Sequence, residues 1–125
     1  MLALSIVAPS GTSIAFGRKT LEVRSWRPET LPLTDLLIVE NGRFLSAHGD
    51  SDDDGRLVAV VDIAGVKPWL PTEIEPACAT AWAPGYWAWR ICNVRRIAGP
   101  LKVIAARKLY DVPLDPSDLA LLLAQ

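Results

Sequence analysis

The chain has 125 residues, of which half are hydrophobic and 22% are charged, and its formal net charge at pH 7 is -1. That length fits one domain, is too short for two full ones, and allows a core that needs no disulfide or structural metal. Every apolar stretch is shorter than the roughly 20 residues of a membrane span, and residues 1–7 lack the charged start of a signal sequence. We therefore expect a single cytoplasmic domain with no membrane segment.

The first elements are predicted to be a strand and a short helix. Leu2–Val7 is an apolar run typical of a buried strand. Pro9 and Ser10 then begin a brief helix, with Ser10 as its N-cap, and Gly17 ends that helix in the left-handed conformation. Lys19 therefore lies where the helix turns into the next strand.

The following segment, Thr20–Trp26, alternates between apolar and polar side chains, as a strand does. Leu21 and Val23 face one way, whereas Glu22 and Arg24 face the other. The alternation therefore separates an apolar face from a polar one.

Two strands are predicted in the middle of the chain, at Leu36–Val39 and Leu57–Ile63. The second is continuous and β-branched, which indicates burial on both faces. Between them, Asn41–Gly55 is rich in Gly, Ser and Asp, a composition typical of an exposed, mobile loop.

The last part of the chain is predicted to contain a poor helix at Thr72–Trp82, strands at Tyr86–Ile97 and Leu101–Ala105, and a closing helix over residues 117–124 with Asp115 as its N-cap. In total, five or six strands are predicted, with two small helices inserted among them. This order suits a compact barrel and does not suit a doubly wound sheet, whose strands alternate with long helices.

Charge is distributed unevenly along the chain. Residues 77–110 contain no acidic residue, whereas four aspartates lie between positions 50 and 54. The acid-free segment contains six basic residues: Arg90, Arg95, Arg96, Lys102, Arg107 and Lys108. One side of the molecule is therefore expected to be basic although the whole is not.

The most informative stretch is Gly17–Trp26, which places a cation, an anion and a second cation at one sheet edge. Arg24 can hold a phosphate or a carboxylate through two parallel hydrogen bonds. Lys19 can bind phosphate as a point charge, or act as a base if burial removes its proton. Glu22 can orient either cation or move a proton. On composition alone, a solvated strand face with a surface ion pair is the alternative.

The pattern G-x-K-x-x-E-x-R-x-W in this stretch resembles the signature of ASCH domains, which belong to the PUA-like superfamily. Two further segments resemble the same family: Leu2–Pro9 is similar to its opening strand, and Gly85–Trp89, running on to Arg96, is similar to its late strand. The resemblance covers residues 1–112 and leaves residues 113–125 as a C-terminal helical extension.

The resemblance implies an α+β fold, namely a small PUA-like β-barrel of five to six strands with two or three short helices. It also implies RNA binding in a cleft between the barrel and the first helix and, in some members, hydrolysis of RNA or of N4-acetylcytidine. The catalytic Lys of the amidohydrolase branch matches Lys19, and its helical Glu matches either Glu73 or Glu75. That branch has Thr where this chain has Glu22, which favours binding over catalysis.

Three further residues are expected near the cleft, namely Trp26, Arg27 and Tyr86. Trp26 lies on the polar face beside Arg27, where it can stack on a base, and a lid over the core is the equally weighted alternative. Tyr86 can line the cleft or remain an ordinary surface residue. Trp87 and Trp89 share one face of their strand and are expected to be core residues.

Three functions follow. The first is a binding module for RNA or a modified nucleotide, with ligand-binding residues Lys19, Glu22, Arg24, Trp26, Arg27 and Tyr86. The second is a metal-independent hydrolase that uses Lys19 and Glu22 as its working pair, for which Lys19 must be neutral near pH 7. The third is an interaction protein whose apolar helix, over residues 119–123, docks a second subunit.

No cofactor or metal is implied by the sequence. Cys78 and Cys92 match no metal-ligand spacing and are expected to be reduced core residues. His48, the only histidine, lies in the acidic loop far in sequence from any partner. A serine hydrolase is therefore disfavoured.

Overall fold

In the computed structural model, which describes residues 1–124 and only the backbone of Pro100, strands and two short helices follow one another along the chain. In chain order the elements are β1 (Leu2–Val7), α1 (Ser10–Ala15), β2 (Leu21–Arg24), β3 (Leu33–Asn41), β4 (Ser51–Asp52), β5 (Arg56–Pro68), β6 (Trp87–Lys102), β7 (Ala105–Ala106), β8 (Leu109–Asp111) and α2 (Pro116–Leu122).

Six of these strands form one sheet in the order β2-β6-β5-β3-β1-β8, and β4 pairs with β7 in a separate ladder. β1 and β3 run parallel, whereas the other neighbours in the sheet are antiparallel. The long pairing of β5 with β6 contains register shifts, at which strands bend and twist more strongly. The result is a mostly β fold with few short helices, in which six strands share one sheet.

Apolar side chains fill both sides of the sheet. One cluster lies between the sheet and α1 and includes Leu4, Ile38 and Trp89, each at most 1% exposed. A second cluster on the other face includes Leu37 from β3 and Leu119 from α2. Because successive strand residues point to opposite faces, β1, β3 and β5 contribute to both clusters.

The first helix is joined to the sheet by a buried carboxylate. The prediction that Ser10 is the N-cap was wrong: Pro9 occupies that position, and the cap has no side-chain hydrogen bond. The amide of Thr12 instead donates to Glu40 on β3 at 2.6 Å, and the Thr12 hydroxyl donates to the other carboxylate oxygen at 2.9 Å. Gly17 ends the helix with a φ of 77°, as predicted.

All but one of the predicted strands are present, but their ends differ. β3 and β5 are longer at both ends than the periodic segments that indicated them. The strand expected from Tyr86 begins at Trp87 and continues to Lys102, so the separate strand predicted at Leu101–Ala105 was wrong. The chain turns after Lys102 and forms β7 and β8, of which β8 pairs with β1.

No helix forms over residues 72–82, where a poor one was predicted. Pro76 has no amide hydrogen to donate, and Cys78 has a φ of 52°, which a continuous right-handed helix does not allow. The segment instead forms turns that bury Ala77 against the apolar face of β2. The carbonyl of Pro76 accepts a hydrogen bond from the amide of Leu21 at 3.1 Å, which attaches these turns to the sheet edge.

The prediction that both cysteines are core residues was wrong. Cys78 and Cys92 are free and exposed, and each thiol lies 3.6 Å from a backbone carbonyl oxygen. Cys92 is on β6, where it follows the buried Ile91 and begins a run of exposed residues, Cys92–Val94.

The C-terminal helix begins as predicted, with the Asp115 side chain accepting a hydrogen bond from the amide of Asp118 at 2.9 Å. Leu119 is buried in the second core cluster, so this part of the apolar helix is covered by its own chain and not by a second subunit. Leu121, by contrast, is 86% exposed. Within residues 1–124, neither helix has the length and apolar character needed to cross a membrane.

Candidate functional site

A cleft of about 740 Å³ opens beside the start of α1. Its walls come from the end of β1, from β2 and the turn after it, from the loop after β3, and from the connection between β7 and β8. These segments are far apart in the sequence, so only the folded sheet brings them together. The charged and aromatic residues on the wall are Glu22, Arg24, Trp26, Arg43, Phe44, Tyr86, Arg107 and Lys108.

Glu22 and Arg24 reach the cleft because β2 pairs with β6. The register places Glu22 opposite Trp89 and Arg24 opposite Trp87, so these side chains leave the same face of the sheet. Leu21 leaves the other face and packs in a separate apolar cluster. The alternation predicted for this strand is therefore confirmed.

Glu22 is the centre of an ion network. Its side chain is 7% exposed, and its Oε2 accepts hydrogen bonds from Arg24 Nη2 at 2.9 Å and from Arg24 Nε at 3.3 Å. Its Oε1 lies 3.3 Å from Lys19 Nζ. Arg24 also donates to the carbonyl of Ser5 at 2.8 Å. Both cations share this one carboxylate, and the network links β2 to β1.

Lys19 lies behind this network and not on the cleft wall. Its side chain is 7% exposed, and its Nζ donates to the carbonyl of Ala77 at 2.6 Å. An ammonium between a carboxylate and a carbonyl positions Glu22 but does not reach a ligand in the cleft. The structure therefore brings Lys19, Glu22 and Arg24 together and presents only the last two to the cleft.

Trp26 and Tyr86 both line the cleft. Trp26 packs edge-on against Trp89, with ring centroids 4.9 Å apart, and the ammonium of Lys108 lies 5.8 Å from its ring centroid. Tyr86 makes an edge-on contact with Trp69 at 6.4 Å. Trp26 thus covers the core with one part of its ring and faces the cleft with another, so the lid over the core is observed and base stacking stays a prediction.

Three residues named from the sequence lie elsewhere. The guanidinium of Arg27 is 4.8 Å from the ring centroid of Trp87, and Arg27 does not line the cleft. Glu73 forms an ion pair with Lys67 at 3.4 Å, and Glu75 is exposed. Neither glutamate lines the cleft, because the turns that contain them pack on the opposite face of β2.

Arg107 and Lys108 line the cleft but were not named as site residues from the sequence. Neither lies within 4 Å of a carboxylate among the residues that the structure describes. Lys108 has a φ of 56°, a left-handed conformation that is uncommon for residues other than glycine. The acid-free segment was the sequence signal that contained both residues.

The loop at Asn41–Gly55 forms one rim of the cleft. Arg43 binds the carboxylate of Asp50 through two contacts of 3.2 Å, and this contact lowers the pKa of Asp50 and raises that of Arg43. Phe44 is 75% exposed and lines the cleft beside Arg43. The ion pair and the β4–β7 ladder give the loop a defined path, and its mobility stays a prediction.

A pair of hydroxyl groups joins the strands beside the cleft. The Ser5 and Tyr110 hydroxyl oxygens are 2.7 Å apart, and that of Ser5 also accepts a hydrogen bond from the amide of Ala106 at 3.1 Å. Burial raises the pKa of the Tyr110 hydroxyl, so it remains protonated at neutral pH. These contacts fix β7 and β8 against β1 and thereby position Arg107 and Lys108.

The side chains of the cleft suit an anionic ligand that contains aromatic rings. The lining contains four basic residues and one acidic residue, Glu22, which is already neutralised by Lys19 and Arg24. Cations bind phosphate, and exposed aromatic rings stack on bases. Among residues 1–124, no three His, Cys, Asp or Glu side chains are grouped as metal ligands would be.

Comparison with known proteins identifies the family to which this chain belongs. The sequence model of the family described as the ASCH domain matches residues 4–109. No curated protein matches the chain. Two similar solved structures are crystal structures of two mutants of ZmASCH from Zymomonas mobilis, each 14% identical to this chain with a TM-score of 0.49. The matches cover 81% of this chain and 74% and 72% of the respective ZmASCH chains.

Proposed function

This chain belongs to the ASCH domain family, and from that premise we propose that its cleft binds single-stranded RNA. In this proposal the aromatic side chains Trp26, Phe44 and Tyr86 contact a base, and Arg107 and Lys108 contact phosphates. RNA binding in the cleft is what the sequence resemblance implied, and the geometry of the site supports it.

The main support is that two cations without carboxylate partners among the described residues share a cleft with three aromatic rings. A cation already paired in the protein, such as Arg24, has little charge left for a ligand. Arg107 and Lys108 can release counterions from phosphates on binding. Stacking of a base on an aromatic side chain contributes about 1–3 kcal/mol and tolerates any base. A volume of about 740 Å³ lies in the range of small-ligand sites and fits part of a strand.

The ion network has a supporting role in this proposal. Arg24 uses Nε and Nη2 for Glu22 and Ser5, and its Nη1 has no hydrogen-bond partner among the described residues. The two N–H groups of this nitrogen can therefore donate to ligand oxygens. The hydrolase alternative requires Lys19 as a base at the ligand. Because Lys19 is buried behind Glu22, we favour binding over hydrolysis.

The test measures the binding of a labelled single-stranded RNA by fluorescence anisotropy over a range of salt concentrations. We expect the affinity of the wild type to fall as salt rises, because binding to phosphates releases counterions. Arg107→Ala combined with Lys108→Ala should weaken binding about tenfold at low salt. The slope of log affinity against log salt should flatten by roughly 0.7 for each phosphate that the variant no longer neutralises.

Arg90→Ala is the matched control. Arg90 is an exposed cation on β6, opposite Leu21 in the ladder, so it lies on the face of the sheet away from Glu22 and Arg24. It also has no carboxylate within 4 Å among the described residues. We expect its removal to leave affinity within about twofold of the wild type. Equal decreases in affinity for both variants, or no binding at low salt, would contradict the proposal.

A further inference from the structure

A second surface lies at the other end of α1 from the cleft. We call it the Phe16 groove: a cavity of about 620 Å³ whose lining residues are Ala15, Phe16, Gly17, Val94, Arg95, Arg96, Leu123 and Ala124. It combines the end of the first helix, the middle of β6 and the segment after α2. None of its residues lines the cleft described above.

The centre of the groove is an exposed aromatic ring with two cations over it. Phe16 is 58% exposed, although phenylalanine is among the residues most often buried. The guanidinium carbon of Arg96 lies 4.9 Å from its ring centroid, and that of Arg18 lies 5.8 Å away. Arginine planes and aromatic rings are the two surfaces on which unstacked RNA bases are held.

These two arginines have no anionic partner within the described part of the chain. Arg95, in the same groove, is neutralised by Asp35 at 2.6 Å and by Asp62 at 2.8 Å. Arg18 and Arg96, in contrast, have no carboxylate within 4 Å among residues 1–124. An exposed ring with unpaired cations indicates a ligand that has both negative charge and planar rings.

The groove and the cleft are connected by a single short helix. Ser10 at the start of α1 lines the cleft, and Ala15 at its end lines the groove. Six residues of α-helix are about 9 Å long, a distance that a few nucleotides of extended chain can span. A strand that leaves the cleft in this direction therefore reaches Phe16.

We infer that the Phe16 groove is a second RNA-contact site, which stacks a base of the same strand that the cleft holds. The inference rests on the proposed function of the cleft. It sets a minimum length for the ligand, because an oligonucleotide must extend beyond the cleft to contact Phe16, Arg18 and Arg96.

The test compares a labelled dinucleotide, which fills the cleft alone, with a labelled ten-nucleotide RNA. Phe16→Ala should weaken binding of the longer RNA by about five- to hundredfold, the range for loss of one stacked base. It should leave the dinucleotide within about twofold, because the cleft is unchanged. Phe16→Trp should retain tight binding of the longer RNA, and thermal melting confirms that each variant is folded.

The control is Leu121→Ala, which removes another exposed apolar side chain outside both sites and should change neither affinity. If the wild type binds both RNAs and Phe16→Ala changes neither affinity, or both equally, the groove is not a separate RNA contact, although the cleft proposal stands. If the wild type binds neither RNA, both proposals fail. If Phe16→Ala instead abolishes a concentration-dependent dimer seen by sedimentation without affecting RNA, the groove is a protein contact and the inference is overturned.

Discussion

Two groups of charged residues meet at the cleft and differ in what their charges already bind. Lys19, Glu22 and Arg24 form a closed network in which each charge faces an opposite one within 3.3 Å. Arg107 and Lys108 lie on the same cleft without a carboxylate partner among the described residues. Membership of the signature segment therefore does not identify the charges that are free for a ligand, whereas pairing and burial do.

The two groups should also respond differently to mutation. Removing one member of a buried ion pair leaves an uncompensated charge in a medium that solvates it poorly, which destabilises the fold strongly. Removing an unpaired cation from the cleft wall, where Lys108 is exposed and Arg107 is half-buried, changes stability little but removes a group that releases counterions on binding. Mutations in the closed network are therefore expected to change stability, and mutations of Arg107 and Lys108 are expected to change RNA affinity.

The largest effect is expected at the centre of the closed network. Glu22→Ala leaves Lys19 buried beside a carbonyl with no carboxylate, and should lower the free energy of unfolding by about 3 kcal/mol. Urea denaturation followed by tryptophan fluorescence measures this. Glu29→Ala, at an exposed glutamate, should change stability by less than about 0.5 kcal/mol. A Glu22→Ala protein as stable as the wild type would show that the network is not structural.

A smaller loss of stability is expected when the buried cation is removed and the carboxylate keeps its other partner. Lys19→Met should lower the free energy of unfolding by about 2 kcal/mol, because Glu22 remains paired with Arg24. RNA affinity of the folded variant should stay within about threefold of the wild type, since Lys19 does not line the cleft.

Lys19 also distinguishes the binding proposal from the hydrolase alternative. We expect the wild type to show no turnover of N4-acetylcytidine in a chromatographic assay, because the Lys19 amine is directed at Glu22 and the Ala77 carbonyl. Robust hydrolysis by the wild type that disappears in a folded Lys19→Met variant would make Lys19 catalytic and would reverse the comparison drawn above.

Features that depend on local periodicity could be predicted from the sequence. The alternation of Thr20–Trp26 placed Glu22 and Arg24 on one face, and the pairing of β2 with β6 confirms it. Gly17 and Asp115 indicated a helix end and a helix start correctly, because a left-handed turn and an N-cap each favour a few residue types at a single position, although the same rule failed at Ser10.

Features that depend on contacts between distant segments could not be predicted. The direction of Lys19 depends on the carbonyl of Ala77, which is 58 residues away in the sequence. Arg107 and Lys108 join the cleft only because β8 pairs with β1, at the opposite end of the chain. The sequence shows that both residues are charged but not where they lie. Hydrophobic periodicity indicates which face of an element is buried, and not which elements are its neighbours.

A third charged group, centred on Asp62, tests whether burial, and not ion pairing alone, determines how much stability each mutation removes. Asp62 accepts hydrogen bonds from Asn93, the amide of Asp35 and Arg95 at 2.8–3.0 Å, but lies at the surface with its side chain 23% exposed. Replacement by Asn should cost about 1 kcal/mol at neutral pH, less than either change in the buried network.

This decrease in stability should depend on pH. The hydrogen bond from Asn93, the Asp35 amide and the charge of Arg95 hold the pKa of Asp62 below its usual value of 3.8. Since the folded-state pKa is the lower one, the stabilisation is complete above 3.8 and is lost as pH falls through the folded-state value. The wild type and Asp62→Asn should therefore converge in acid, as measured by urea denaturation from neutral pH downward. Asp111→Asn serves as the exposed control, and a constant gap between wild type and Asp62→Asn would contradict the argument.

The smallest effect is expected at the rim, where Arg43 is on the cleft but is paired with Asp50, and so lies between the two groups compared. Asp50→Asn removes the negative charge and keeps a side-chain oxygen that can accept a hydrogen bond from Arg43. The loop should therefore keep its path, while the charge of Arg43 is no longer offset by a carboxylate and can attract phosphate. We expect RNA affinity at low salt to rise about two- to threefold, with a steeper salt dependence. Asp53→Asn removes the same charge from an exposed aspartate in the same loop that has no ion pair with Arg43, and should have a smaller effect. If the two variants raise affinity equally, net charge alone is responsible, and pairing does not decide which cations at this cleft are free to bind.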